Sequence, residues 1–138
     1  MRHFKLRTWV IILVMIDMLS KYLFYNLTYM NDISRVLPIL NTGISRSLPV
    51  PFIIIIAISI IGVWAFIWLF IRKKINLRIA AILIAGTIGN LIDRFIYGGV
   101  RDFINIKIFN FPIFNFADIM LSIWVLIRIT LIMLEKKE

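Results

Sequence analysis

Apolar residues come in four long runs, and the polar residues between them form short basic turns or longer mixed loops. The first run, Trp9 to about Tyr25, follows a basic tail, MRHFKLRT, and places Trp9, Tyr22 and Tyr25 where an aromatic belt belongs. The second, Val50 to Ile71, carries no charge and reaches about 33 Å as a helix, enough to cross a hydrocarbon core of about 30 Å. Pro51 suits its first turn. After the basic loop Arg72, Lys73, Lys74 and Arg78, the third run extends from Ile79 to about Tyr97 and is broken by Gly98-Gly99. The fourth, Phe116 to Leu134, has Asp118 near its start and Arg128 inside. This pattern predicts one membrane-embedded domain, residues 1–138, with spans at 9–25, 50–71, 79–97 and 116–134. Two connecting stretches read as extended: Leu37, Ile39 and Asn41 share one parity, as do Val100, Asp102, Ile104, Ile106 and Ile108.

Composition narrows the class. The chain is 62% hydrophobic with a mean hydropathy of +0.97, more apolar surface than a soluble domain of 138 residues can hide. A net charge of +9 in a soluble protein points to nucleic acid, but here the cations flank apolar runs, so topology and anionic lipid account for them. Arg2, Lys5, Arg7, Arg72, Lys73, Lys74, Arg78, Lys136 and Lys137 fall on one side; Arg35, Arg46, Arg94, Arg101 and Lys107 fall on the other. The richer side is expected in the cytoplasm, with both termini, while Asp102 and the approach to Asp118 face out. Asp17 and Lys21 in the first run, with no small-residue cleavage site, predict a retained helix rather than a signal peptide. The chain has no cysteine, and its one histidine, His3, sits in the tail. Thiolate chemistry, a histidine metal site and a Ser–His arrangement therefore lack material, and no metal or cofactor is expected.

Three of the five aspartates, Asp93, Asp102 and Asp118, lie between Gly86 and Asp118, against strongly apolar surroundings. Ionisable groups there are costly unless paired or used. Parity turns Asp102 toward apolar neighbours, while Asn115 can cap a helix whose first turn holds Asp118. Alone, Asp118 reads equally well as a helix-start acid. Together the two suggest an aspartyl pair: two nearby carboxyls cannot both ionise cheaply, so one keeps a proton while the other can activate water. Their sequence separation does not establish contact. Asn90, Asp93, Arg94 and Tyr97 share one helical face, and Gly86 and Gly89 permit close helix approach. Asp93 and Arg94 are expected chiefly to anchor the helix end at the interface. Asp17 and Lys21, spaced i, i+4, read either as an internal ion pair or as support for the site.

The motifs resemble those of bacterial lipoprotein signal peptidase (type II). They are Asp17-Met18-Leu19-Ser20-Lys21, Asn41-Thr42-Gly43, Gly89-Asn90-Leu91-Ile92-Asp93-Arg94, Val100-Arg101-Asp102-Phe103 and Phe114-Asn115-Phe116-Ala117-Asp118. Five motifs in order across four spans are a specific signal. The resemblance implies an all-α polytopic membrane aspartyl protease of four helices, with a small extracytoplasmic β-sheet and a short helix over the site. Its partners would be membrane lipid and diacylglyceryl-modified prolipoproteins, cut just before the lipidated cysteine; it would act as a monomer in the bacterial inner membrane. Asp102 and Asp118 would be catalytic, with Asp17, Lys21, Asn41, Gly43, Asn90, Arg94 and Asn115 supporting or binding substrate. The sequence departs from the family at Met18, usually Gln, and at Ile44-Ser45-Arg46-Ser47, usually small residues and an aromatic. Arg46 offers a planar fork of donors to a lipid phosphate or substrate carbonyl; a solvated loop charge is the plainer reading. Two rival classes stand beside this one: a small proton-coupled transporter using Asp17, and a non-catalytic relative that binds lipidated peptides.

Overall fold

A computed structural model describes residues 1–26, 38–43, 50–106 and 111–135. Four helices are long and apolar enough to cross a membrane, and the chain is a multi-pass membrane protein. Helix α1 (Arg2–Ser20) continues as a π-helical turn over Lys21–Asn26. It is followed by strand β1 (Ile39–Asn41), helix α2 (Phe52–Ile71), helix α3 (Leu77–Tyr97), strand β2 (Val100–Asp102) and helix α4 (Phe116–Glu135). The described residues contain no separate short helix besides these.

The centre of the bundle is α3. It buries 56% of its span, against 11–12% for the others, and packs on α1, α2 and α4. Its sequence explains why. Ala80, Ala81, Ala85, Gly86 and Gly89 are all buried, and small residues let neighbouring backbones come close where lipid supplies no hydrophobic drive. A Cβ on Gly86 would lie 2.9 Å from the Ala117 carbonyl oxygen and 3.1 Å from Leu121 Cγ, so α4 could not sit where it does. The larger buried residues Leu6, Phe70, Ile75, Leu83 and Ile84 close the other end of the interface. On the outward faces, Ile53, Ile61 and Trp64 of α2 and Leu126 and Met133 of α4 are exposed, as lipid-facing positions require.

The helix ends are set by local chemistry. Asn76 caps α3 by accepting the Ile79 N–H at 2.9 Å. At its far end Gly98, with φ of 73°, makes the left-handed stop that lets the chain turn back into β2. Helix α2 closes through Lys73, a non-glycine residue at φ 56°, with Lys74 N–H donating to the Leu69 carbonyl and Lys73 N–H to that of Phe70. The strands pair antiparallel with Ile39 opposite Asp102, Leu40 opposite Arg101 and Asn41 opposite Val100. An isolated bridge, Ile104 to Phe114, extends this pairing toward α4. Of the stretches expected to be extended, Leu37 and Ile108 lie outside the described residues. The sheet thus sits at the end of the bundle where α1 and α3 finish and α4 begins.

Candidate active site

Two clusters of polar side chains meet at that end. The deeper one is built by α1, α3 and β2, and Asp17, Lys21 and Asp93 in it are fully buried. Lys21 Nζ lies 2.7 Å from Asp17 Oδ2 and 3.4 Å from Asp93 Oδ2, and donates to Asn90 Oδ1 at 3.0 Å. An ammonium has three protons, and these three oxygens surround it. Asp17 Oδ1 accepts the Ala117 N–H at 2.9 Å, so α1 holds the first turn of α4. Gly89 makes this possible, because a Cβ there would overlap Asp17 Oδ2. Asp93 takes Arg101 through three bonds: Nη2 at 2.8 Å and Nε at 3.2 Å to Oδ1, and the backbone N–H at 3.0 Å to Oδ2. The Arg101 guanidinium also lies over Tyr97, 4.2 Å from the ring centroid. Two acids and two bases balance.

The second cluster has no such balance. Asp102 and Asp118 line a cavity of about 420 Å³ together with Asn41, Asn90 and Arg94. Asn115 joins the two acids: its Nδ2 donates to Asp102 Oδ1 at 2.6 Å, and its Oδ1 accepts the Asp118 N–H at 3.1 Å. The Asn115 backbone N–H in turn donates to Asp118 Oδ2 at 3.2 Å. This reciprocal pair is a capping box, which fixes the start of α4 and the Asp118 side chain together. The remaining oxygens are also served. Asn41 Nδ2 donates to Asp102 Oδ2 at 3.1 Å, and Asn90 Nδ2 to Asp118 Oδ1 at 2.8 Å. Asn41 is itself held by the Gly43 N–H on its Oδ1 at 3.1 Å. Asn90 therefore links the clusters, receiving Lys21 on its oxygen and giving its amide to Asp118. Arg94 Nη1 donates to the Asn90 carbonyl at 3.3 Å, and its Nε is buried without a partner among the described residues.

Burial and the nearby Asp118 charge push the Asp102 carboxyl up to about 7, against the lowering influence of Asn115, Asn41 and Lys21. Asp102 therefore holds its proton to higher pH than an ordinary carboxyl. Its two oxygens already accept amide protons, so a carboxyl proton must occupy a remaining lone pair. No group of three or more His, Asp or Glu side chains among the described residues is arranged to hold a metal ion.

All nine candidate residues converge on these two clusters. Asp93 differs from its expected role as an interface anchor: it is fully buried and bonded to Arg101 and Lys21. Arg101, which enters the sequence reading only as an outer-side cation and as the variable residue of the Val100–Phe103 motif, is 4% exposed and holds Asp93. The clue available was the Gly98-Gly99 break, which folds residue 101 back beside residue 93. Ile119, Ser122, Ile123 and Leu126, spaced three, four and seven apart on one face of α4, complete one wall of the cavity. The divergent loop with Arg46 lies outside the described residues.

The family model described as signal peptidase (SPase) II matches residues 9–134. Curated relatives named lipoprotein signal peptidase include one from Thermodesulfovibrio yellowstonii, 32% identical over 92% of this chain and 93% of its own. Another, from Wigglesworthia glossinidia brevipalpis, is 36% identical over 87% and 88%. A solved structure described as a bacterial membrane enzyme, determined by the in meso method at 2.3 Å resolution, superposes with a TM-score of 0.75. It is 26% identical and matches over 95% of this chain and 88% of that one. With the family model covering nearly its whole length, the chain belongs to the signal peptidase II family.

Proposed function

We propose that this peptidase is of the aspartic type and removes signal peptides from diacylglyceryl-modified prolipoproteins, cutting before the lipidated cysteine, with Asp102 and Asp118 as one catalytic pair. The observation that carries the reading is that both acids line one cavity and both are held by Asn115, whose Nδ2 donates to the Asp102 carboxyl and whose backbone N–H donates to that of Asp118. Asp102, its carboxyl pushed up by burial and the Asp118 charge, is the member that keeps a proton and donates it to the scissile carbonyl. Asp118, at the positive end of α4 with two N–H donors on its oxygens, acts as the carboxylate that takes a proton from the attacking water. As the tetrahedral intermediate collapses, the proton gained by Asp118 passes to the leaving amine, and Asp102 recovers its own. Asn41, Asn90 and Asn115 fix the carboxyls, and Arg94 adds positive charge at the same wall. The transporter reading loses its carrier: Asp17 is fully buried, and its oxygens are bound to Lys21 and the Ala117 N–H.

The apolar walls of the cavity, among them Ile119, Ile123 and Leu126, suit a lipid-modified peptide arriving from the bilayer. The purified enzyme in detergent is expected to cleave a diacylglyceryl-modified prolipoprotein and to leave its unlipidated precursor intact; equal cleavage of both would remove lipid recognition from this reading. The basic imbalance further supports cytoplasmic termini and a site near the outer face. A reporter active only outside the cytoplasm, fused after Glu138, should stay silent, whereas a strong signal would reverse the orientation.

A further inference from the structure

At the opposite end of the bundle, α1 and α3 diverge around a second cavity of about 260 Å³. Its lining is Trp9, Leu13, Leu77, Ala81 and Ile82, with a single charged residue, Arg78. The volume falls below the roughly 300–1,000 Å³ of a small-molecule site. Its apolar lining and its place between two membrane helices suit one acyl chain. Trp9 is half exposed and Arg78 is exposed, so the cavity opens at the surface of the bundle between two membrane helices. Among the described residues neither the Arg78 guanidinium nor the Trp9 indole N–H has a hydrogen-bond or ion-pair partner.

The charge around this cavity selects the headgroup. The α2–α3 turn and the start of α1 lie together, since Arg2 sits over the Phe70 ring at 4.3 Å and His3 meets it edge-on at 5.8 Å. That brings Arg2, Lys5, Arg7, Arg72, Lys73, Lys74 and Arg78 to one end of the bundle, all exposed, with no described carboxylate side chain among them. An apolar slot with a lone guanidinium and an indole N–H at its mouth, inside a field of cations, complements a lipid with an acyl chain and an anionic phosphate.

We propose that the groove between α1 and α3 binds an anionic phospholipid, one acyl chain in the cavity and the phosphate on Arg78 and the Trp9 indole. The assignment is independent of the reaction at the other end. It separates a built site from general attraction, because Arg78 lines the cavity whereas Lys5 and Lys73 share only the surrounding field.

The test reconstitutes the full chain in phosphatidylcholine vesicles containing a minority of dibrominated phosphatidylglycerol or, in parallel, dibrominated phosphatidylcholine. The Trp9 signal is isolated by difference against Trp9→Phe. Bromine quenching of Trp9 should show about a fivefold preference for the anionic lipid. Arg78→Gln should abolish that preference and Arg78→Lys keep part of it, while Lys5→Gln and Lys73→Gln leave it in place. Equal quenching by the two lipids would overturn the site, as would an unchanged preference in Arg78→Gln. A loss as large in Lys5→Gln as in Arg78→Gln would reduce it to diffuse surface attraction and overturn it equally.

Discussion

The two polar clusters use the same residue types to opposite ends. Around Lys21, every carboxylate faces a cation: Asp17 has Lys21, and Asp93 has both Lys21 and Arg101. Around Asn115, two carboxyls face amides, and Arg94 lies on the same cavity wall. Charge pairing makes the first cluster a rigid strut joining α1, α3, β2 and α4. Amide donors hold the second in place but pair neither carboxyl with a cation of its own, so a proton is retained and available. Function follows from what is withheld from the second cluster, and the first supplies the rigidity that makes withholding it possible.

Removing the strut's central cation should have the largest effect. Lys21→Met would leave Asp17 and Asp93 buried together without their shared ammonium and free the Asn90 oxygen. Breaking a buried pair in this way costs about 3–5 kcal/mol. The variant should melt far below the native chain in detergent and lose cleavage with it. A melting temperature close to the native value would show that the strut is not structural.

A smaller effect, opposite in sign, is expected from the second cluster. With its folded value raised to about 7 from 3.8, Asp102 keeps a proton between these pH values that the unfolded chain has released. The folded state is therefore progressively destabilised as pH rises through that window, by an amount on the order of a few kcal/mol. Asp102→Asn removes this dependence. Its melting temperature relative to the native chain should rise in the variant's favour from pH 4 to pH 8. Parallel curves for the two proteins would mean that Asp102 titrates as an ordinary exposed acid.

The reach of sequence reasoning divides along the same line. Contacts within one helical turn were legible: the i, i+4 pair of Asp17 and Lys21, and the capping residue Asn115 three positions before Asp118. The four membrane helices were legible because a bilayer demands long, predominantly apolar runs. Contacts made by packing were not. The bonds from Lys21 to Asn90 and from Asp17 to the Ala117 N–H depend on where α1 crosses α3, and that crossing is set by the missing side chain at Gly89. The role of Arg101 was not legible because strand parity does not show what covers an edge, here Tyr97 and Asp93.

The central claim is that Asp102 and Asp118, joined through Asn115, work as one unit. Cleavage of a diacylglyceryl-modified prolipoprotein by purified Asp102→Asn, Asp118→Asn and the double variant measures this directly, with membrane insertion checked for each. Either amide keeps the shape of the acid but cannot exchange the proton. Each single variant should therefore lose cleavage, and the double should be hardly worse than either, since residues acting as a unit are non-additive. Substantial cleavage by either single variant, or losses that multiply in the double, would contradict the account.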